Sequence, residues 1–284
     1  MKTKTREIKQ VLQSQPVMEG AGVRLKRGFG YYERGMFDPF LLLDDFHSDN
    51  PDDYIRGFPW HPHRGIETIT YVLDGEVEHQ DSIGNRGVIS SGDVQWMTAG
   101  SGIVHQEMPL GNAGGRMWGF QLWANLPGTH KMMQPRYQEL KSSQIPQLTL
   151  PDGSRVKIIC GKVGEEKGPV NDIISSPQYL DVFVAPDGEY VHSTAGGHRV
   201  IAYVFEGEGH FSTSRQKFIG PESVILFDQG EEMKVQSGTR GVRFLLMSGQ
   251  PINEPIAWKG PIVMNTDKEL DIAFKEYHEG TFIK

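Results

Sequence analysis

The sequence predicts an all-β chain made of two related barrels or sandwiches, with one short helix near the C-terminus. Three observations carry this. Short strand-like runs recur between turn signals along most of the chain. The pattern repeats itself about 132 residues later, since Tyr71 laid on Tyr203 aligns the surrounding blocks. And 34 glycines and 17 prolines in 284 residues exceed the usual shares of about 7% and 5%, as many tight turns require.

The run Ile66–Leu73 is rich in β-branched residues and ends at Asp74-Gly75, a hairpin signal. Glu76–Ser82 follows as the return strand, with a turn at Gly84-Asn85. Gly87–Ile89, Asp93–Met97 and Met117–Trp123 read as further strands. In the second half, Val200–Glu208, Glu222–Phe227 and Val242–Met247 repeat the blocks at 69–76, 92–97 and 117–122. A repeat this long marks a duplicated domain and not a solenoid. The seam falls within 128–150, where Gly128, Pro135, Ser142-Ser143, Pro146 and the nearby Pro151 break the periodicity. The expected division is therefore 1–135 and 136–284. Thr266-Asp267-Lys268-Glu269 is a capping box. Leu270, Ala273, Phe274 and Tyr277 then follow at helical spacing before Gly280, so a helix packed on a barrel is expected there.

A formal net charge of -7 argues against nucleic acid as a direct ligand, because phosphate neutralisation needs clustered Lys and Arg. The basic start, with Lys2, Lys4, Arg6 and Lys9, reads as a solvated tail. A single cysteine, Cys160, rules out an intrachain disulfide and fits a reducing compartment. The apolar runs are far shorter than the roughly 18–20 residues a membrane helix needs. No apolar segment of signal-peptide type follows the basic start. The expected protein is soluble and cytoplasmic, or nuclear in a eukaryote.

The chemistry concentrates in the first half. His61 and His63 lie two residues apart, so on a strand they face the same way. Pro62 between them suits an edge strand. His105 and Glu107 repeat the spacing. Two such pairs on neighbouring strands offer three imidazole nitrogens and a carboxylate, a donor set suited to Fe, Mn, Cu, Ni or Zn. Moved by 132, the four positions fall on Ser193, Ala195, Ser237 and Thr239. The second half thus keeps the strands without the ligands. Glu67, four residues after His63 and on its side by simple alternation, is an alternative to Glu107. His79, His192, His198 and His210 read as structural or surface residues, and His47, His130 and His278 have no paired partner. Trp60, Trp118, Phe120 and Trp123 read as core more than pocket. Arg64 reads as an anion site or a salt-bridge partner, and Gly100-Ser101-Gly102 as a turn.

The blocks FDPFLLLDDF (37–46), HPHRGIETITYVLDGEVEHQDS (61–82), GDVQWMTAGSGIVHQEMP (92–109) and FQLWANLP (120–127) together resemble the pirin family of the cupin superfamily. The resemblance is specific over 37–127 and faint after 150. It implies a bicupin, two antiparallel jelly-roll (double-stranded β-helix) barrels in one chain. It also implies one divalent metal ion held by residues corresponding to His61, His63, His105 and Glu107. Fe(II) comes first, with Mn, Ni, Cu, Co or Zn also compatible. The chemistry implied is quercetin 2,3-dioxygenase activity. Glu107 would take the proton of a flavonol or similar aromatic enol, the metal-bound enolate would react with O2, and ring cleavage would release CO. The alternative it implies is a non-enzymatic, iron-dependent regulator that binds a transcription factor or a metabolic enzyme.

Overall fold

The computed structural model describes residues 3–171, 173–174, 177–213 and 217–284. Strands dominate, and the chain divides into two compact units. The first consists of residues 1–14 with 143–251, and the second of 15–142 with 252–284. The linear division expected at 135/136 does not describe the two ends of the chain. Strand Ile8–Gln13 adds to the sheet of the 143–251 unit by pairing with Ser223–Phe227. Arg6 is buried there on Thr194 and the carbonyls of Asp228 and Ala195. The C-terminal segment belongs to the 15–142 unit. Its helix Asp267–His278 carries the expected Thr266–Glu269 capping box. Leu270 and Ala273 from the helix pack with Ile262, Met264 and Phe282. Backbone and apolar groups at a chain end are paired wherever a free edge or face exists, whatever the order in sequence.

The metal-candidate unit is a pair of antiparallel sheets. The seven-stranded sheet runs Arg136–Leu140, Val94–Thr98, Ile66–Asp74, Met117–Asn125, Phe40–Ser48, Val23–Phe29, Gln15–Glu19. The four-stranded sheet runs Phe58–His63, Ile103–Pro109, Glu76–Asp81, Arg86–Ser90. Phe58–His63 is an edge strand, which is where Pro62 costs no ladder hydrogen bond. Val72, Phe46 and Leu25 from the larger sheet meet Val77 and Ile89 from the smaller one in a common core. In the other unit an eight-stranded sheet encloses a larger apolar core that includes Val182, Ala202, Ile225, Val235 and Leu246. Among the described residues no helix is long and apolar enough to cross a membrane.

Candidate metal centre

Strand register sets the site. His61 stands directly opposite His105, and His105 opposite Asp81 on its other side. Glu107 stands opposite His79. Opposed residues share a face, as do residues two apart, so all of these side chains and His63 turn toward the interior. His63, His79, His105 and Glu107 are buried, and His61 is partly so. The ligand atoms of His61, His63 and His105 lie within 4.8 Å of one another, as do those of His79, His105 and Glu107.

The hydrogen bonds around the histidines leave a charge-shaped gap. His61 Nδ1 is 2.9 Å from the Pro59 carbonyl, and His63 Nδ1 is 3.0 Å from the Pro261 carbonyl. A carbonyl only accepts, so each Nδ1 carries the proton and each Nε2 presents a lone pair. Those two Nε2 atoms are 3.1 Å apart. Two lone pairs at that distance repel unless a proton or cation lies with them. Protonation is disfavoured: burial, and for His63 the neighbouring His61, depress both imidazoles below their ordinary range. Two nitrogens each about 2.1 Å from one ion and roughly 90° apart would be about 3.0 Å apart. Both nitrogens of His105 are buried and find no hydrogen-bond partner among the described residues. Its imidazole is also held well down by burial and then by His61, His63 and His79. Neutral imidazoles oriented by carbonyls through the other nitrogen are the form that binds a transition metal. The residues therefore fit a divalent cation.

Glu107 and Glu67 have different surroundings. Glu107 Oε1 accepts from the Thr70 hydroxyl at 2.8 Å, and burial pushes its carboxyl up to about 7. Thr70 Oγ1 also lies 2.7 Å from Gln121 Oε1. One hydroxyl proton cannot serve both oxygens. The chain closes if the Gln121 amide is turned to donate to Thr70, which then donates to Glu107. Glu67 departs from the expected alternation. It belongs to the odd-numbered face of Ile66–Asp74, whereas Thr70, on the even face, reaches Glu107. It accepts from Thr98 at 2.7 Å and joins neither cluster. Counting from His63 fails because Gly65, at φ +79, turns the chain from one sheet into the other. A Cβ at Gly65 would lie 2.0 Å from the Val263 carbonyl.

Lys131 holds this turn in place. Its buried ammonium donates to the carbonyls of Gly65 and Val263 and to Asn125 Oδ1, at 2.7–3.0 Å. Arg64 takes its salt-bridge reading, meeting Glu276 at 2.7 Å and the carbonyls of Ser101 and Phe282. Gly100 and Gly102 both have positive φ, as the expected turn needs. His79 is deeper than the sequence suggested. It stacks on Tyr137, approaches Asp81 at 3.4 Å, and leaves Nδ1 without a hydrogen-bond partner among the described residues. Its signal was the alternation His79, Asp81 on the strand after the hairpin. In the other unit, His192 is structural, bonded on both nitrogens by Tyr190 and Gln178.

A cavity of about 570 Å³ opens on the cluster, with His61, His63 and Glu107 in its wall. Trp123 and Trp258 form one side, Leu25 and Phe46 another. Arg27 enters it paired with Asp44 at 2.7 and 2.8 Å. Of the four aromatics singled out in the sequence, only Trp123 lines this cavity. Trp60 is exposed, and Trp118 and Phe120 are buried elsewhere.

The pirin family model matches residues 22–124, and that of the pirin C-terminal cupin domain matches 179–283. The chain belongs to the pirin family. A pirin-like protein of Caulobacter vibrioides is 42% identical over 279 residues, covering 98% of this pirin and 99% of the relative. The crystal structure of a quercetin 2,3-dioxygenase from Acinetobacter baumannii superimposes with a TM-score of 0.89 at 31% identity, covering 98% of each chain. The bacterial pirin YhhW of Escherichia coli, solved in complex with nickel(II), shares the fold at TM-score 0.64 and 21% identity. That match covers 85% of this chain and 99% of YhhW. This pirin is accordingly a bicupin with a His/Glu cluster that can hold a metal.

Proposed function

We propose that this pirin is an Fe(II)-dependent dioxygenase of quercetin-like flavonols, with His61, His63, His105 and Glu107 as the ligands. The observation that carries the reading is the pair of Nε2 lone pairs held 3.1 Å apart beside His105, whose two nitrogens have no hydrogen-bond partner among the described residues. Three neutral nitrogens and one carboxylate leave room on a six-coordinate ion for an oxygen ligand. When bound, the metal would supply Lewis acidity toward an enol hydroxyl and one-electron chemistry with O2.

The remaining work falls to the protein. The cavity volume lies in the usual range of about 300–1,000 Å³ for small-molecule sites. Its aromatic and aliphatic walls suit the flat faces of a flavonol, and Arg27 and Gln121 add polar groups to the same lining. Glu107 is placed to take the proton of the hydroxyl that enters the site. Burial raises its proton affinity toward the neutral range, and an adjacent cation lowers it again. Thr70 holds the carboxylate oriented as the proton moves. The buried site excludes bulk water from the enolate that results.

The test is anaerobic reconstitution with Fe(II), addition of quercetin and then air. Loss of the flavonol absorbance together with CO release, above the rate of free iron, is the expected result. Full metal occupancy without turnover would favour the non-enzymatic, iron-dependent regulator.

A further inference from the structure

We propose that Trp123, Trp258, Tyr31 and Tyr32 form a relay that carries one oxidising equivalent out of the metal pocket when the loaded centre meets peroxide without substrate. The inference rests on the metal reading above and extends it to a protective redox function.

The geometry is an unbroken line of rings. His63 lies 5.0 Å from Trp123, centroid to centroid, and Trp123 lies 5.9 Å from Trp258. Trp258 is 5.6 Å from Tyr31, which is 5.7 Å from Tyr32. Electron tunnelling weakens steeply with the gap, so four steps of this length outrun one long jump. Indole and phenol are also the uncharged side chains easiest to oxidise by one electron. A pocket wall alone needs apolar surface at 123 and 258. Tyr31 joins them in lining the cavity, and Tyr32, outside that lining, carries the row of rings on to solvent.

The ends of the line have different environments, and these give it a direction. The Trp258 indole N–H donates to the Gly260 carbonyl at 2.8 Å, so its radical cation keeps its proton and passes the hole on. Tyr31 is 44% exposed and Tyr32 91%. A hydrated phenol that loses an electron gives its proton to water and becomes a neutral radical. The Arg34 guanidinium, 4.6 Å over the Tyr31 ring, disfavours any positive charge remaining there and favours that deprotonation.

The electrons balance. Hydrogen peroxide takes two electrons as its O–O bond breaks. One comes from Fe(II), which becomes Fe(III), and one from Tyr31 or Tyr32 through the two indoles. The phenolic proton and two solvent protons are then accounted for as one proton released to water and two consumed in forming two waters. A one-electron reductant in solution, a thiol or an ascorbate, restores the phenol. Without the relay the second electron comes from the histidines or Trp123 beside the ion.

The experiment starts with elemental analysis of the iron-loaded full chain, without substrate. One equivalent of hydrogen peroxide is then added, followed by freeze-quench EPR and peptide mass mapping. The expected wild-type result is a tyrosyl radical. That signal is lost in the Tyr31→Phe/Tyr32→Phe double variant and in Trp258→Phe, while oxygen adducts on His61, His63 and Trp123 rise. An iron-loaded wild type without the radical, or Trp258→Phe with an undiminished signal at equal iron content, overturns the relay alone. A chain that binds no iron overturns the metal reading and the relay with it.

Discussion

Replacing Thr70 by Val tests how the protein tunes the Glu107 carboxylate in the cluster of histidines. The hydroxyl donates to Glu107 at 2.8 Å in a buried setting. A hydrogen bond to a charged group is worth about 1.5–3 kcal/mol. At about 1.4 kcal/mol per pH unit, its loss raises the Glu107 midpoint by about one to two units. The midpoint of the metal-free chain starts at about 7. At pH 7 the wild-type carboxyl is then half ionised, and the variant's is about 1–10% ionised. An incoming cation has to displace that proton, so apparent metal affinity at pH 7 falls by about 5- to 50-fold. It recovers to within about twofold by about pH 9, as the pH reaches the shifted midpoint of about 8–9. Competition against a chelator from pH 6 to 9 measures this, with Thr70→Ser as the rescue that keeps a hydroxyl. Superimposable affinity curves for Thr70→Val and wild type would refute the reasoning. They would mean that Thr70 gives its one proton to Gln121 and leaves Glu107 unaided.

Glu107→Gln is expected to lose its metal on dialysis, whereas Glu67→Gln keeps it and loses about 1–3 kcal/mol of stability by weakening the buried bond to Thr98. Elemental analysis beside urea unfolding distinguishes the two, and the reverse pattern would reassign the ligand. In the 143–251 unit, burial holds His192 down to about 4. Since its folded value lies below the unfolded one, its contribution is complete above about pH 6.5 and is lost as pH falls toward 4. The loss is about 3 kcal/mol. Unfolding curves across that range should show it, and His192→Gln should flatten the slope. Gly65→Ala puts a methyl against the Val263 carbonyl at positive φ. It is expected to cost about 3 kcal/mol or more and to weaken metal binding through His63. A normal melting curve with full metal content would contradict the role given to that turn.

Much of the site was legible because strand alternation is local. His61 with His63, and His105 with Glu107, needed only their spacing, and a glycine-rich turn ahead of His105 needed only Gly100 and Gly102. Glu67 shows where that logic stops. Alternation holds within one strand, and Gly65 ends the strand and starts another in a different sheet. His79 shows a second limit. Nothing in its own segment says that Glu107 will stand opposite it, since register between strands depends on partners far apart in sequence. The Trp123–Trp258 contact joins residues more than 130 positions apart, and no periodicity reports it.

By itself the sequence determined the strand content, the duplication, the C-terminal helix and which half carries the ligand-type residues. These follow from side-chain period, turn chemistry and capping, all of which act over a few residues. Only the tertiary structure decided which unit each chain end joins, which carbonyls orient the imidazoles, and which glutamate shares their cavity. Those outcomes depend on pairing backbone and apolar groups across long chain separations, where many registers satisfy the same local pattern and packing selects one.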